Sequence, residues 1–237
     1  MNQAGASTID QKIAETPTSR SWPSYVVIEG PIGVGKTTLA RRLAQSFGSD
    51  LSLESADENP FMERFYENPR QVALPTQLHF LLQRSRQLSA LKQDDMFNPV
   101  RVADFLIEKD RLFAELTLDR DELALYEQVY AGLKLDAPRP DLVVYLQAPV
   151  EVLLDRIQRR GIRHELWIEA AYLERLNEAY INFFYQYSEA PLLIVNAADI
   201  DFAHNEHDYR LLLEQIVRNR SGRHYFNPGL LAPGGES

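Results

Sequence analysis

The chain has 237 residues and a mass of 27.2 kDa, with 45% apolar and 25% charged residues, a mixture ordinary for a globular protein of one large domain or two small ones. Wholesale disorder, collagen and coiled coil are excluded, no stretch approaches the ~18 apolar residues of a membrane span, and Met1 to Arg20 lacks the apolar core of a secretory signal. The absence of cysteine rules out disulfides, thiolate nucleophiles and Cys-ligated zinc, and a net charge of −9 argues against a general duplex-DNA binder while leaving room for a local anion site.

Residues 1–22, rich in Ser, Thr, Gln and Ala, read as a flexible leader, and residues 221–237, with Gly222, Pro228, Gly229 and Pro233, as a flexible tail. Between them, 23–220 reads as one domain in which short β-rich runs alternate with helices. Tyr25 to Glu29 is a strand and Lys36 to Phe47 a helix. Leu51 to Glu54 is a short strand, and Thr76 to Gln93 is a helix with leucines near 3.6 spacing. Val100 to Asp104 is a third strand, followed by helices over Lys109 to Thr117 and Asp121 to Lys134. Leu142 to Leu146 is a fourth strand, with Pro149 opening a helix to about Arg160. A long helix covers Ile168 to Tyr187, a fifth strand Leu192 to Val195, and a last helix Tyr209 to Val217. Continuous apolar strands separated by helices imply an α/β fold: a five-stranded parallel sheet covered on both faces.

Gly30-Pro31-Ile32-Gly33-Val34-Gly35-Lys36-Thr37 matches the phosphate-binding pattern GxxxxGK[ST], with a strand before it and a helix after. The glycines let backbone N–H groups close around a phosphate at a helix N-terminus, with Thr38 in its first turn. Lys36 reaches the β- and γ-phosphates, and the Thr37 hydroxyl is a ligand for Mg²⁺. A nucleoside triphosphate and Mg²⁺ are therefore the expected cofactors. The motif alone does not separate a kinase from a GTPase, a motor or a regulatory ATPase.

Phosphoryl transfer to a hydroxyl also needs a base, cations over the moving phosphoryl group and an acceptor pocket. Glu54 and Asp104 end the second and third strands, at the edge where parallel-sheet sites lie. By position alone, Glu54 is a base or an exposed loop acid, and Asp104 a holder of Mg²⁺ or acceptor, or a helix N-cap. Arg156, Arg159, Arg160 and Arg163 surround Gly161 between two helices, a pattern that suits an arginine-bearing lid and also a solvated helix end.

These residues resemble a family. The P-loop GPIGVGKTT, the segment from Glu54 through Glu58-Asn59-Pro60-Phe61 to Phe65-Tyr66, QLHFLLQR from Gln77 to Arg84, and Val102 to Asp104 with DRLFA from Asp110 to Ala114 fall in the order and spacing of the deoxynucleoside kinases. Asp141 to Leu146 and Tyr172 to Leu176 extend the resemblance to about Val217. It implies a P-loop kinase fold, a three-layer α/β/α sandwich with a small lid, and transfer of the ATP γ-phosphoryl group to the 5′-hydroxyl of a deoxynucleoside. Carried over by position, Glu54 is the base, Lys36 and the P-loop amides hold the donor, and Arg156 and Arg160 neutralise transition-state charge. Tyr66 and Glu165 bind the sugar 3′-hydroxyl, a pairing that the resemblance links to deoxyribose preference. Gln77, Arg84 and Asp110 read the base edge, and Phe113 packs on its plane. The wording of QLHFLLQR and DRLFA is closest to the bacterial purine branch.

The chain departs from the family pattern at three places. Phe105 stands where the family has an arginine after the strand-end acid, Ser55 where a proline often follows the glutamate, and Ile162 at one lid arginine position, with Arg163 displaced by one. Compensation for Phe105 is expected from Arg163 or another lid residue. Elsewhere, His79 reads as packing, His204 and His207 as a solvated turn, and Tyr180, Phe183, Phe184 and Tyr187 as core or a dimer face. A nucleoside monophosphate kinase and a regulatory nucleotide-binding module are the alternative functions. A cytosolic homodimer, without nucleic-acid or membrane partners, completes the expectation.

Overall fold

The computed structural model describes residues 22–93 and 100–230; most of the leader, and 231–237 of the tail, lie outside them. Among the described residues six strands form one sheet in the order β2-β3-β1-β4-β5-β6: β1 Tyr25–Glu29, β2 Asp50–Ser52, β3 Arg101–Ala103, β4 Leu142–Gln147, β5 Leu192–Asn196 and β6 Arg223–Phe226. All five pairings are parallel, with Val26 level with Val102 on one side and Leu142 on the other. The sixth strand corrects the expected five and carries the sheet past residue 220. Its sequence, RHYF, has little apolar content because it is an edge strand, with Tyr225 72% exposed, so it gives no buried-strand signal.

Helices α1 Lys36–Phe47, α2 Met62–Glu67, α3 Pro69–Gln93, α4 Lys109–Thr117, α5 Arg120–Leu133, α6 Val150–Arg160, α7 Ala170–Gln186 and α8 Glu206–Arg218 cover the faces. The strands of the centre are buried on both sides, which is why VVI and LVVYL are unbroken apolar runs. On one face Tyr145 stacks on Phe184, ring centres 4.2 Å apart, with Tyr180 and Tyr187 beside them. The aromatic run of α7 is therefore core. A buried ring such as Phe184 is worth roughly 1.5–3 kcal/mol of burial.

Helix α3 starts well before the expected Thr76 and runs through Pro75. Pro69 sits at its first residue, where a missing N–H costs nothing. Pro75 forfeits one bond to the carbonyl of exposed Gln71, while the Thr76 hydroxyl bonds back to the Val72 carbonyl at 2.6 Å and holds the turn. Helix α5 begins at a capping box between Asp119 and Glu122. Among the described residues no helix is long and apolar enough to cross a membrane.

Candidate active site

The connection from β1 runs to β2, on the β3 side, and the connection from β3 crosses to β4, on the other side of β1, so the two part and open a crevice at the strand C-termini. The P-loop begins there. Gly30 has φ +148°, and a Cβ on it would lie 2.4 Å from the Leu146 carbonyl of β4, so only glycine lets the loop pass. Lys36 Nζ donates to the carbonyls of Gly30 and Pro31 at 2.8 and 3.1 Å. Burial, with repulsion from Lys109 second, lowers its pKa to about 8. A triphosphate returns counter-charge and raises that value, so donor binding at pH 8 is expected to take up protons. Calorimetry of a non-hydrolysable ATP analogue in buffers of different ionisation enthalpy checks this; identical apparent enthalpies would contradict it.

Asp104 follows β3 directly and is 1% exposed. Its Oδ2 accepts from the Thr37 hydroxyl at 2.6 Å and its Oδ1 from the Glu54 backbone N–H at 2.7 Å. It therefore joins the P-loop to the Glu54 segment and is not a helix cap; the N-cap of α4 is Glu108, which makes no side-chain cap bond. A hydroxyl and a carboxylate oxygen beside a phosphate loop are donors that suit the hard Mg²⁺ ion.

Glu54 lies just past β2, not within it, and its carboxylate is held by two cations. Arg84 of α3 pairs with Oε1, and Lys109 of α4 approaches Oε2 at 2.9 Å. Burial opposes its ionisation, but Arg84 and then Lys109 outweigh that cost and hold the pKa at about 2. The depressed value contributes stability that is complete above the ordinary carboxylate pKa, ~4.5, and is lost as pH falls towards 2. Arg84 also pairs with Asp110, and both side chains are almost fully buried.

One cavity collects Glu54, Tyr66, Gln77, Arg84, Phe113 and Glu165 with Lys36, Thr37, Asp104, Lys109 and Arg160 on its wall. Asp110 is not on the wall; it stands behind Arg84. Gln77 donates to the Thr117 hydroxyl at 3.1 Å, Tyr66 stacks on His164, and Glu165 pairs with Arg160. A second groove runs along Gly33, Val34, Gly35 and Thr38 towards Arg156, Arg159 and Phe202. The two cavities share Gly33 and Arg160.

Arg156 is not brought to the first cavity. Its guanidinium donates to the Val34 carbonyl at 3.1 Å and the Ala197 carbonyl at 2.7 Å, tying the P-loop to the end of β5. Arg163 is exposed and lies on neither wall. The segment read as a lid is the end of α6, a left-handed Gly161 and a 3₁₀ turn over Arg163–Trp167. His79 packs edge-on to Phe61, and His204 bonds to Asp201 in a surface turn. Among the described residues no His, Asp or Glu cluster has metal-binding geometry.

Two residues escape sequence reasoning. Glu29, fully buried at the end of β1, accepts from the N–H groups of Gly30 and Leu106 and from the Tyr180 hydroxyl. Lys109 sits between Glu29 and Glu54. Each carries a signal: an acid closing an apolar strand, and a lysine in the first turn of a helix, the end where the dipole disfavours cations.

A sequence profile of deoxynucleoside kinases matches residues 26–220. A deoxyguanosine kinase of Bacillus subtilis (strain 168) is 36% identical over 200 residues, 81% of this chain and 95% of the relative. A deoxyadenosine/deoxycytidine kinase of the same organism is 29% identical over 203 residues, 82% and 92% of the two chains. Among solved structures, deoxyadenosine kinase from M. mycoides with bound dATP superposes with a TM-score of 0.70 at 26% identity, covering 81% of this chain and 98% of that one. Phosphate loop, strand-end acids and parallel sheet thus sit in a chain that, by the extent of these matches, belongs to the deoxynucleoside kinase family.

Proposed function

We propose that the protein transfers the γ-phosphoryl group of ATP to the 5′-hydroxyl of a purine deoxynucleoside, deoxyguanosine or deoxyadenosine, in nucleotide salvage. The observation that carries this reading is the position of Glu54, on the wall of a pocket that meets the phosphate-loop groove at Gly33 and Arg160. Names of relatives support the purine choice: deoxyguanosine kinases of Bacillus subtilis and Lactobacillus johnsonii are 36% and 31% identical. An uncharged acceptor is favoured because the pocket's cations, apart from Lys36 of the phosphate loop, are already paired. Arg84 faces Glu54 and Asp110, Lys109 faces Glu29 and Glu54, and Arg160 faces Glu165. A nucleoside monophosphate would need a free cation there for its own phosphate.

In this reading the donor lies along the second groove, with its phosphates on the P-loop amides and Lys36. Thr37 and Asp104 would hold Mg²⁺, which would supply positive charge to the donor phosphates when bound. Gln77 and Arg84, backed by Asp110, meet the base edge; Phe113 lies on its plane; Tyr66 and Glu165 take the 3′-hydroxyl. Glu54 accepts a hydrogen bond from the 5′-hydroxyl. A carboxylate with so low a pKa is a weak base for a free alcohol, so the proton moves late, once the oxygen has begun to bond phosphorus and become acidic. Arg160, at the junction of the cavities, covers the moving phosphoryl group. Arg156 instead fixes the P-loop from the donor side. The exposed Leu82 of α3 and Leu125 of α5 suit a homodimer contact, and a cytosolic location belongs to the same reading.

With Mg·ATP and deoxyguanosine or deoxyadenosine, the expected product carries phosphate on the 5′-oxygen, read by phosphorus–proton coupling in NMR. EDTA is expected to abolish turnover and added Mg²⁺ to restore it. A 3′-phosphorylated product, or full activity in EDTA, contradicts the arrangement.

A further inference from the structure

Position 105, where the family carries an arginine, holds a phenylalanine that is buried in the hydrophobic core beside Val102, Ala103 and Leu106. It brings no charge to the transfer centre. Four residues on, Lys109 opens α4 and turns its side chain into the space between two acids, with Nζ 3.2 Å from Glu29 Oε1 and 2.9 Å from Glu54 Oε2. It is 2% exposed, yet it forms part of the cavity wall that carries Glu54, Lys36 and Asp104. Glu29 is itself immobilised, since it accepts from Leu106 N–H at 2.7 Å and from the Tyr180 hydroxyl at 3.0 Å. An ammonium clamped on a fixed carboxylate presents its remaining protons in a fixed direction, and that direction is Glu54.

We propose that Lys109 is the positioning cation of the transfer centre, anchored on Glu29 and holding the Glu54 carboxylate at the acceptor hydroxyl. Arg84, the other partner of Glu54, is shared with Asp110 and borders the base pocket, so a bound base competes for it. Lys109 has no such second task. It keeps Glu54 oriented when Arg84 turns to the base, a holding contact that the buried phenylalanine at position 105 cannot make. The inference rests on the kinase reading above and gives Lys109 a part in the transfer that the reading did not.

A double-mutant cycle between Lys109 and Glu54 tests this, with the acceptor that the parental enzyme turns over. K109M is expected to lower kcat about a hundredfold, with KM for the acceptor and Kd for a non-hydrolysable ATP analogue changed less than about threefold. K109R, which restores charge with a bulkier head, is expected to return kcat to within about tenfold of the parent. In the E54Q background K109M is expected to cost nothing further, because the group it positions is gone. Parental kcat in K109M, or equal fractional losses with and without E54Q, overturns the proposal. Should K109M not fold, K109Q, which removes the charge and keeps a polar head, decides the same question in the two backgrounds: a loss of about tenfold or more beside Glu54 and none beside Gln supports it, and equal losses overturn it. A parent that phosphorylates only monophosphates defeats the substrate reading alone, since the cycle is then run on that acceptor.

Discussion

Glu54→Gln is expected to lower kcat by about 10²–10⁴, the range for removing a positioned base, while leaving the affinity for the ATP analogue near the parental value. The separation follows from who holds what. Lys36 rests on the carbonyls of Gly30 and Pro31, and Thr37 on Asp104; neither depends on the Glu54 side chain. Asp104 is bound to the Glu54 backbone N–H, which the glutamine keeps. The two cations that lose a partner retain another, Arg84 with Asp110 and Lys109 with Glu29, so the variant folds. Steady-state kinetics with calorimetric donor binding checks the prediction. Unchanged turnover would remove Glu54 from the chemistry, and lost donor binding would make it structural.

Arg84→Met is expected to cost about 3–5 kcal/mol of stability, as removal of one member of a buried ion pair does. Arg84 is the charge partner that Asp110 has in the interior, and Asp110 is 1% exposed. Left alone, that carboxylate must protonate or drag water inwards. The double variant R84M/D110L removes the orphaned acid with its partner and is expected to recover most of the loss, because a buried pair replaced by apolar groups is often neutral. Both variants should also alter the ranking of the deoxynucleosides more than ATP affinity. Urea unfolding followed by circular dichroism gives the first result and relative kcat/KM the second. A single variant with parental stability and parental ranking would show that Arg84 neither anchors Asp110 nor reads the base.

What the sequence makes legible follows from how local each signal is. The P-loop is one contiguous motif between a strand and a helix, and α1 and α4 begin and end where periodicity puts them. Their boundaries are set by sharp breaks in pattern: Gly35 and Gly48 flank α1, and Leu118 turns to extended backbone after α4. Helix α3 is hidden by its own prolines, because Pro69 starts the helix and Pro75 is absorbed in it, two positions where a proline reads equally well as a boundary. Strand β6 is hidden by exposure: half of an edge strand faces solvent, and its four residues lack an apolar run.

The site divides in the same way. Glu54, Asp104, Lys36 and Thr37 are each at the end of an element whose direction is plain from the sequence, so their convergence follows from a parallel sheet alone. Lys109 and Glu29 meet only because the start of α4 comes to lie beside the end of β1, a tertiary fact with no contiguous motif. Arg156 illustrates the opposite error. Charge density around Gly161 marks a cationic segment but not which way each guanidinium points, and Arg156, on the turn of α6 facing the P-loop, is used up on two backbone carbonyls. The guanidinium that reaches the shared edge of both cavities is Arg160.

The most direct measurement is phosphate transfer from Mg·ATP to the four common deoxynucleosides, side by side with the ribonucleosides and the deoxynucleoside monophosphates. Turnover of deoxyguanosine or deoxyadenosine, above the pyrimidine and ribonucleosides, is the predicted result. Turnover of monophosphates alone, or donor binding without transfer to any acceptor, would contradict it.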